Sequence, residues 1–215
     1  ETGYLWNEKF STKINFFDTK INNPIVYLVE QQGENYENYG RVASRGIELE
    51  AIWKDQKWGY CKMNYSFYQS YENTVSVYAV PQKGIALSKD FSEGELLTSS
   101  SLLGIPQHKT VVYGSLNVTK NFSLNPSLCL LGRRYGFVGI DEEGIPFVRS
   151  FSPQLLIDFQ VMKREFLIRG LTLSLGVRNL LDQRILYIQP YNGGSASLPG
   201  PSRSFMVRMM YNVPF

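Results

Sequence analysis

The sequence holds one histidine, His108, and two cysteines, Cys61 and Cys129, and these scarcities close off several chemistries at once. A structural or catalytic zinc centre needs several Cys or His ligands at short spacing, and no CxxC or paired histidine exists to supply them. No metal site is expected. A nucleophilic triad needs a base held by an acid beside a Ser or Cys, and no such set can be assembled around His108, so no catalytic residue is expected either. No apolar run approaches the ~20 residues of a membrane-spanning helix, so if this chain crosses a bilayer it does so with strands. Charge of one sign is also lacking: 22 basic residues are interleaved with 19 acidic ones, for a net charge of +3, which gives no support to a nucleic-acid partner. The glycine pair Gly193-Gly194 lies between strands and not ahead of a helix, so it is no phosphate cradle, and no cofactor is expected.

Aromatic residues, in contrast, are plentiful: 14 Tyr, 13 Phe and 3 Trp make up 14% of the chain. They fall into strands of period two. The clearest is the last, in which Phe205, Val207, Met209, Tyr211, Val213 and Phe215 share one face while Ser204, Arg208 and Asn212 share the other. The same alternation runs through Ile47, Leu49, Ala51 and Trp53; through Thr110, Val112, Gly114, Leu116 and Val118; through Leu155, Ile157, Phe159 and Val161; and through Leu171, Leu173, Leu175 and Val177. One apolar and one polar face, with aromatic excess, is the pattern of a transmembrane β-barrel. Strand phase sets Cys61 with Met63, Tyr65 and Phe67 on the apolar face and Cys129 on the opposite one, so both are expected as buried free thiols and not as a disulfide.

Nine strands can be drawn, joined alternately by short and long connections. Short turns are expected at Asn7-Glu8-Lys9, at Asp55-Gln56-Lys57, near Asn121, and tightly at Lys163-Arg164-Glu165. Long loops are expected at about 22–38, 72–107, after Arg133-Arg134-Tyr135-Gly136, and from Pro190 to Pro201. The short side is the periplasmic one and the long side the extracellular one. Nine strands that end in the periplasm must begin outside the cell, whereas a bacterial single-chain barrel usually has an even count. The expectation is therefore a C-terminal piece of a larger barrel, spanning 1–215, or a barrel missing its first strand. The opening Glu1-Thr2-Gly3-Tyr4-Leu5-Trp6 reads as a strand and not as a leader.

Several stretches together resemble the C-terminal barrel region of TonB-dependent outer-membrane receptors. They are Glu1-Thr2-Gly3-Tyr4; Phe16-Phe17-Asp18-Thr19-Lys20-Ile21; Ser44-Arg45-Gly46-Ile47-Glu48-Leu49-Glu50; Gly104-Ile105-Pro106-Gln107-His108; Gly176-Val177-Arg178-Asn179-Leu180-Leu181-Asp182; and Pro201-Ser202-Arg203-Ser204-Phe205 with the terminal Phe215. Each is weak alone, but their order covers essentially the whole chain. The resemblance implies a barrel of about 22 strands with a plugged lumen. It also implies import of a scarce nutrient such as a ferric siderophore, another metal chelate, haem or cobalamin, with energy relayed by the TonB complex through a missing N-terminal part. Outer-membrane lipid, and the assembly machinery that would read Tyr211, Val213 and Phe215, are the further partners it implies.

Within that frame the candidate ligand contacts are Tyr36, Arg133, Tyr135 and Tyr191, where aromatic and cationic side chains at loop ends could stack on or pair with a small molecule or metal chelate. Tyr at those places suits an interfacial girdle equally well. The pore-facing set Lys13, Lys54, Lys62, Lys109, Arg133, Arg178 and Arg208, mixed with Glu48, Glu50 and Asp158, reads as a ladder of cross-strand ion pairs or as a basic track, with Asp158 and Arg178 as the best pair. His108 is expected to be structural. Two other readings stay open: a self-contained small outer-membrane barrel acting as pore or adhesin, and a soluble β-sandwich whose apolar faces are covered by a second sheet.

Overall fold

The computed structural model describes residues 1–30, 33–38, 41–71, 86–87, 104–140, 146–188 and 197–213. Nine strands form one antiparallel sheet in which each pairs with the next along the chain. They are β1 (Thr2–Asn7), β2 (Phe10–Asn22), β3 (Arg41–Asp55), β4 (Gly59–Tyr71), β5 (His108–Thr119), β6 (Phe122–Leu131), β7 (Gln154–Lys163), β8 (Leu171–Arg178) and β9 (Ser204–Tyr211). β1 and β9 are the two edges of the sheet, and both are exposed along their whole length.

Register turns the period-two pattern into continuous rows. Ile14 faces Leu49, Leu49 faces Tyr65, Tyr65 faces Thr110, Thr110 faces Leu130, and Leu130 faces Leu155. Further along, Phe159, Val177 and Phe205 make another such row. A slip of one residue at any pairing would have thrown a whole strand's apolar set onto the polar side, so agreement across nine strands shows that the pattern specifies the register. No second sheet covers the apolar face among the described residues. On β9 the odd face, with Phe205 at 78% and Val207 at 69% exposure, is more open than the even face, with Met206 at 40% and Met210 at 42%. A sandwich core would bury these side chains, whereas here they are open.

Both first turns are built by a side chain that accepts backbone N–H groups. Asn7 Oδ1 accepts from Lys9 and Phe10, each at 2.9 Å, and Asp55 Oδ1 accepts from Lys57 at 2.8 Å and Trp58 at 3.0 Å. The two turns are then tied together, Lys9 Nζ lying 2.6 Å from Asp55 Oδ2 and Lys54 N donating to Lys9 O at 2.7 Å. Gly59, which opens β4, has φ of +103°, and a Cβ there would sit 1.9 Å from Ser115 O, so both conformation and space require glycine.

The Asp55 carboxyl, its side chain 9% exposed, is lowered from 3.8 to about 2, first by the hydrogen bond from Lys9 and then by those from Trp58 and Lys57. A group whose folded value lies below its unfolded one stabilises fully above the unfolded value, and that contribution is lost as pH falls through the folded one. The stabilisation from this turn is therefore complete above about pH 4 and fades between there and about 2. Replacing Asp55 by Asn is expected to flatten the acid limb of a urea-midpoint-versus-pH curve over that window. An unchanged acid limb would show that the turn contributes nothing.

Four expectations are corrected. The segment 22–38 is not a plain loop: Ile25–Glu30 and Gly33–Asn38 pair as an antiparallel hairpin, because Ile25-Val26-Tyr27-Leu28-Val29 is rich in β-forming residues ahead of Gly33. The connection after β7 is not a tight three-residue turn but runs over 164–170, with positive φ at Glu165, Leu167 and Gly170 letting it double back. β6 ends at Leu131, and Arg134–Ile140 pairs instead with Pro146–Phe151 as a separate hairpin. Cys61 and Cys129 are free, as expected, but half-buried and not buried, since each belongs to a single sheet with one open face. Most of 72–107, Asp141 to Glu143, Tyr39, Tyr191 and Phe215 lie outside the described residues.

Candidate functional site: the polar face of the sheet

Apart from Arg133, which lies beyond the end of β6, the residues of the expected pore-facing set stand on one face of the sheet. Lys13 faces Glu50 and Glu50 faces Asn64, while Asn15 faces Glu48, Glu48 faces Ser66 and Ser66 faces Lys109. Side chains connect these rows: Lys62 Nζ lies 2.6 Å from Glu50 Oε2, and Asn15 Nδ2 donates to Glu48 Oε2 at 3.0 Å. Lys62 and Glu50 stay about a quarter exposed, so water screens the pair and it serves register more than stability. At this end of the sheet one cross-strand ion pair and one amide–carboxylate hydrogen bond hold the rows together.

At the other end of the sheet Ser127 faces Asp158, and Arg178 faces Ser204. The pairing Phe159 with Val177 sets Asp158 and Arg178 on neighbouring strands one step further along. Both line a cavity of about 230 Å³ together with Ser127, Asn179, Ser202, Ser204 and the Cys129 thiol. Asp158 Oδ1 accepts the backbone N–H of Asn179 at 2.9 Å. One acid, one base, hydroxyls and a thiol in a half-open space can hold a small polar group; nothing in the set is arranged as a nucleophile with its base.

The chain over this cavity is shaped by Asn179, which sequence reasoning placed in a motif but not in a role. With φ of +51° it occupies the left-handed region, where Asn is tolerated better than most residues. It is 4% exposed. Its Oδ1 accepts Gln183 N at 2.9 Å, and its Nδ2 donates to Gln183 O at 2.9 Å and to Pro201 O at 3.4 Å. Leu180 N donates to Ile157 O at 2.7 Å, and Asp182 Oδ1 accepts Arg203 N at 2.9 Å. The stretch Asn179-Leu180-Leu181-Asp182 therefore pins the exit of β8 to β7 on one side and to the approach to β9 on the other.

The expected ligand contacts are spread out. Tyr36, 71% exposed, stands on the Gly33–Asn38 hairpin and faces Tyr27 across it. Arg133 is exposed at the end of β6, and Tyr135, opposite Ser150, is half-buried on the next hairpin, its carbonyl accepting Gly104 N at 2.7 Å. Arg133 and Tyr135 are near neighbours in the chain, whereas Tyr36 belongs to the β2–β3 connection, three strands away in the sheet from β6. Between Arg133 and Tyr135, Arg134 is the residue that turns inward. It is 7% exposed, donates from Nη2 to Gln154 Oε1 at 2.6 Å and from Nη1 to Leu186 O at 3.3 Å, and its pKa is lowered by burial. Gln154 Nε2 continues the network to Arg184 O at 2.9 Å. Strand phase carried past Leu131 could not have found Arg134, because the pairing ends there.

His108 lies on the apolar face, opposite Phe67, its ring 4.9 Å from that of Phe67 and its Nδ1 2.8 Å from Tyr65 Oη. It belongs to an aromatic cluster at the end of the apolar band and not to the polar face. In the β1–β9 sheet, Tyr211 sits on the same face as Leu171 opposite it, and Val213 is exposed just beyond the strand.

Comparison with known proteins places this architecture. No curated protein matches the sequence. Among solved structures, the ferripyoverdine receptor of the outer membrane of Pseudomonas aeruginosa bound to ferripyoverdine superposes with a TM-score of 0.68 at 13% identity, over 94% of this chain and 25% of that one. The ferric-catecholate import receptor Fiu from K12 E. coli gives 0.62 at 18% identity, over 96% and 26%. The copper transporter OprC gives 0.62 at 12% identity, over 96% and 29%. This chain thus spans about a quarter of the length of these structures, and at such identities the likeness is one of fold. The family described as TonB dependent receptor-like, beta-barrel matches residues 1–180. With most of its length matched, and with nine two-faced antiparallel strands in an open sheet, the chain belongs to the TonB-dependent receptor β-barrel family of the outer membrane.

Proposed function

We propose that this chain is the C-terminal part of the barrel wall of a TonB-dependent transporter that imports a scarce nutrient: a ferric siderophore, another metal chelate, haem or cobalamin. The observation that carries the reading is the family match over 1–180, on a sheet whose two edges, β1 and β9, do not pair with each other. Such edges call for further strands. The plug and the contact with the TonB complex then belong to an N-terminal part of the full-length protein. The wall performs no chemical step; it is a selectivity surface that meets ligand at its extracellular rim. Tyr36, Arg133, Tyr135 and Tyr191 are the proposed ligand contacts, Asp158 and Arg178 the proposed lumen ion pair, and Tyr211, Val213 and Phe215 the proposed signal to the assembly machinery.

The test is growth. A strain deleted for the full-length gene is starved of iron and resupplied with single chelates. Loss of growth on one chelate, restored by the wild-type gene, is the expected result, with Arg133→Ala and Tyr135→Ala together weakening uptake at least about tenfold, as for truncation of a binding hot spot. Unchanged uptake of every iron, copper, haem and cobalamin source would overturn the reading.

A further inference from the structure

The start of the hairpin between β6 and β7 holds a buried charge that nothing beside it answers. Arg134 donates to Gln154 Oε1 and to the Leu186 carbonyl, both neutral acceptors, and among the described residues no carboxylate pairs with it. Its Nε is fully buried and has no acceptor at all. A guanidinium taken out of water without a counter-charge is costly, and an orphaned donor adds to that cost. What covers Arg134 is lightly tied. Residues 184–188 reach it and its neighbour through two side-chain bonds, Arg134 Nη1 to Leu186 O at 3.3 Å and Gln154 Nε2 to Arg184 O at 2.9 Å. No backbone hydrogen bond joins 184–188 to the hairpin or to β7 among the described residues; their backbone partners lie at 198–200 instead. The segment and the hairpin meet at Gly136, where a Cβ would sit 2.1 Å from Ile188 Cγ2, so Ile188 can close down only on a glycine.

On the import reading, which sets the side of approach, we propose that Arg134 is a binding point for an oxyanion, a carboxylate or phosphate group of a molecule arriving from outside, and that this group takes the place of the Leu186 carbonyl and frees residues 184–188 from the hairpin. Position allows it. Long connections leave the sheet at this end, which makes it the extracellular one, and Gln154 stands on the polar face with Asp158. The chemistry favours an oxyanion over the carbonyl now in place, because two oxygens can take a pair of guanidinium N–H groups as a fork, with charge to match, whereas a peptide carbonyl offers one neutral oxygen. A cation or an apolar molecule would gain nothing from a buried positive charge. The longer of the two latching bonds, from Nη1 to Leu186 O, is the one exchanged.

The experiment uses the full-length receptor in a non-ionic detergent near neutral pH. Hydrogen–deuterium exchange of peptides covering 184–188 is read by mass spectrometry in succinate, in inorganic phosphate and in chloride of equal ionic strength. Exchange is expected to be about fivefold or more faster in succinate or phosphate than in chloride, the lower end of an ordinary coupling between two events. A response to succinate alone assigns a carboxylate, and one to phosphate alone assigns a phosphate. Arg134→Gln removes the charge and is expected to bring all three salts to the same rate. Gly136→Ala, which crowds Ile188 off the hairpin and leaves Arg134 in place, is expected to tighten binding of the effective anion about fivefold by calorimetry, because the open state is already populated. That variant and the wild-type comparison carry the test if Arg134→Gln fails to assemble. Equal exchange in the three salts overturns the proposal, and so does an oxyanion response that Arg134→Gln retains. Because exchange is read on the purified receptor without uptake, this result and the growth test of import can fail separately.

Discussion

Arginine at position 112 is expected to destabilise the full-length barrel by about 2–4 kcal/mol, whereas arginine at position 111 is expected to cost less than about 1 kcal/mol. The two residues are adjacent valines of β5. Val112 stands between Met63 and Leu128, in the middle of the apolar rows, so its replacement would put a guanidinium near the bilayer midplane. Val111 stands between Asn64 and Cys129 on the polar face, among groups that water reaches. Composition, local strand propensity and chain position are the same for both, so the difference isolates the face. Urea titration of each variant refolded into lipid vesicles measures it. Equal costs at the two positions would mean that the apolar rows do not face lipid.

The second large effect is expected at Asn179. Asn179→Ala removes an acceptor and two donors from the buried network with Gln183 and Pro201 and leaves a non-glycine residue at φ of +51°. Leaving buried backbone groups unsatisfied costs about 1–3 kcal/mol, and an ordinary residue in the left-handed region costs about 1–2 kcal/mol more, so a loss of roughly 3 kcal/mol is expected. Asn179→Gly separates the parts: it keeps the backbone conformation and loses only the side-chain bonds, so it should recover about 1 kcal/mol of that loss. If the alanine variant is as stable as wild type, the Asn179 to Asp182 stretch is not the pin described above. Because Asn179 N–H also binds Asp158, the alanine variant should disturb the cavity that holds Asp158 and Arg178, whereas Gly should do so less.

What was legible in the sequence and what was not divides along a physical line. All nine strands of the main sheet and the faces of their residues follow from period two, because a strand wetted on one side and apolar on the other must alternate. The same rule fails where a segment is not two-faced. Ile25-Val26-Tyr27-Leu28-Val29 is a continuous run without alternation, so its strand signal lies in its β-forming residues and not in period two. Arg133 and Arg134 show a sharper failure. Phase extended from β6 favours Arg133, but the pairing of β6 stops at Leu131, the next residues join another hairpin, and it is Arg134 that becomes buried against Gln154. Asn179 was visible only as part of a motif. Its left-handed conformation and its bonds to residues 183 and 201 depend on a chain reversal that no local pattern encodes. Polar pairs fared in between: register predicts which residues stand opposite one another, as for Asn15 and Glu48, but Lys62 reaches Glu50 diagonally.

The most direct test of the account is the size and location of the natural protein that carries this chain. Outer and inner membrane and soluble fractions are probed with an antibody raised against residues 191–215. A detergent-dependent band in the outer-membrane fraction, several times larger than the 24.6 kDa of this chain and shifting in mobility on heating, is the result predicted for the wall of a large receptor barrel. A water-soluble band near 24.6 kDa would contradict it, and the nine apolar strand faces would then have to be covered by protein and not by lipid.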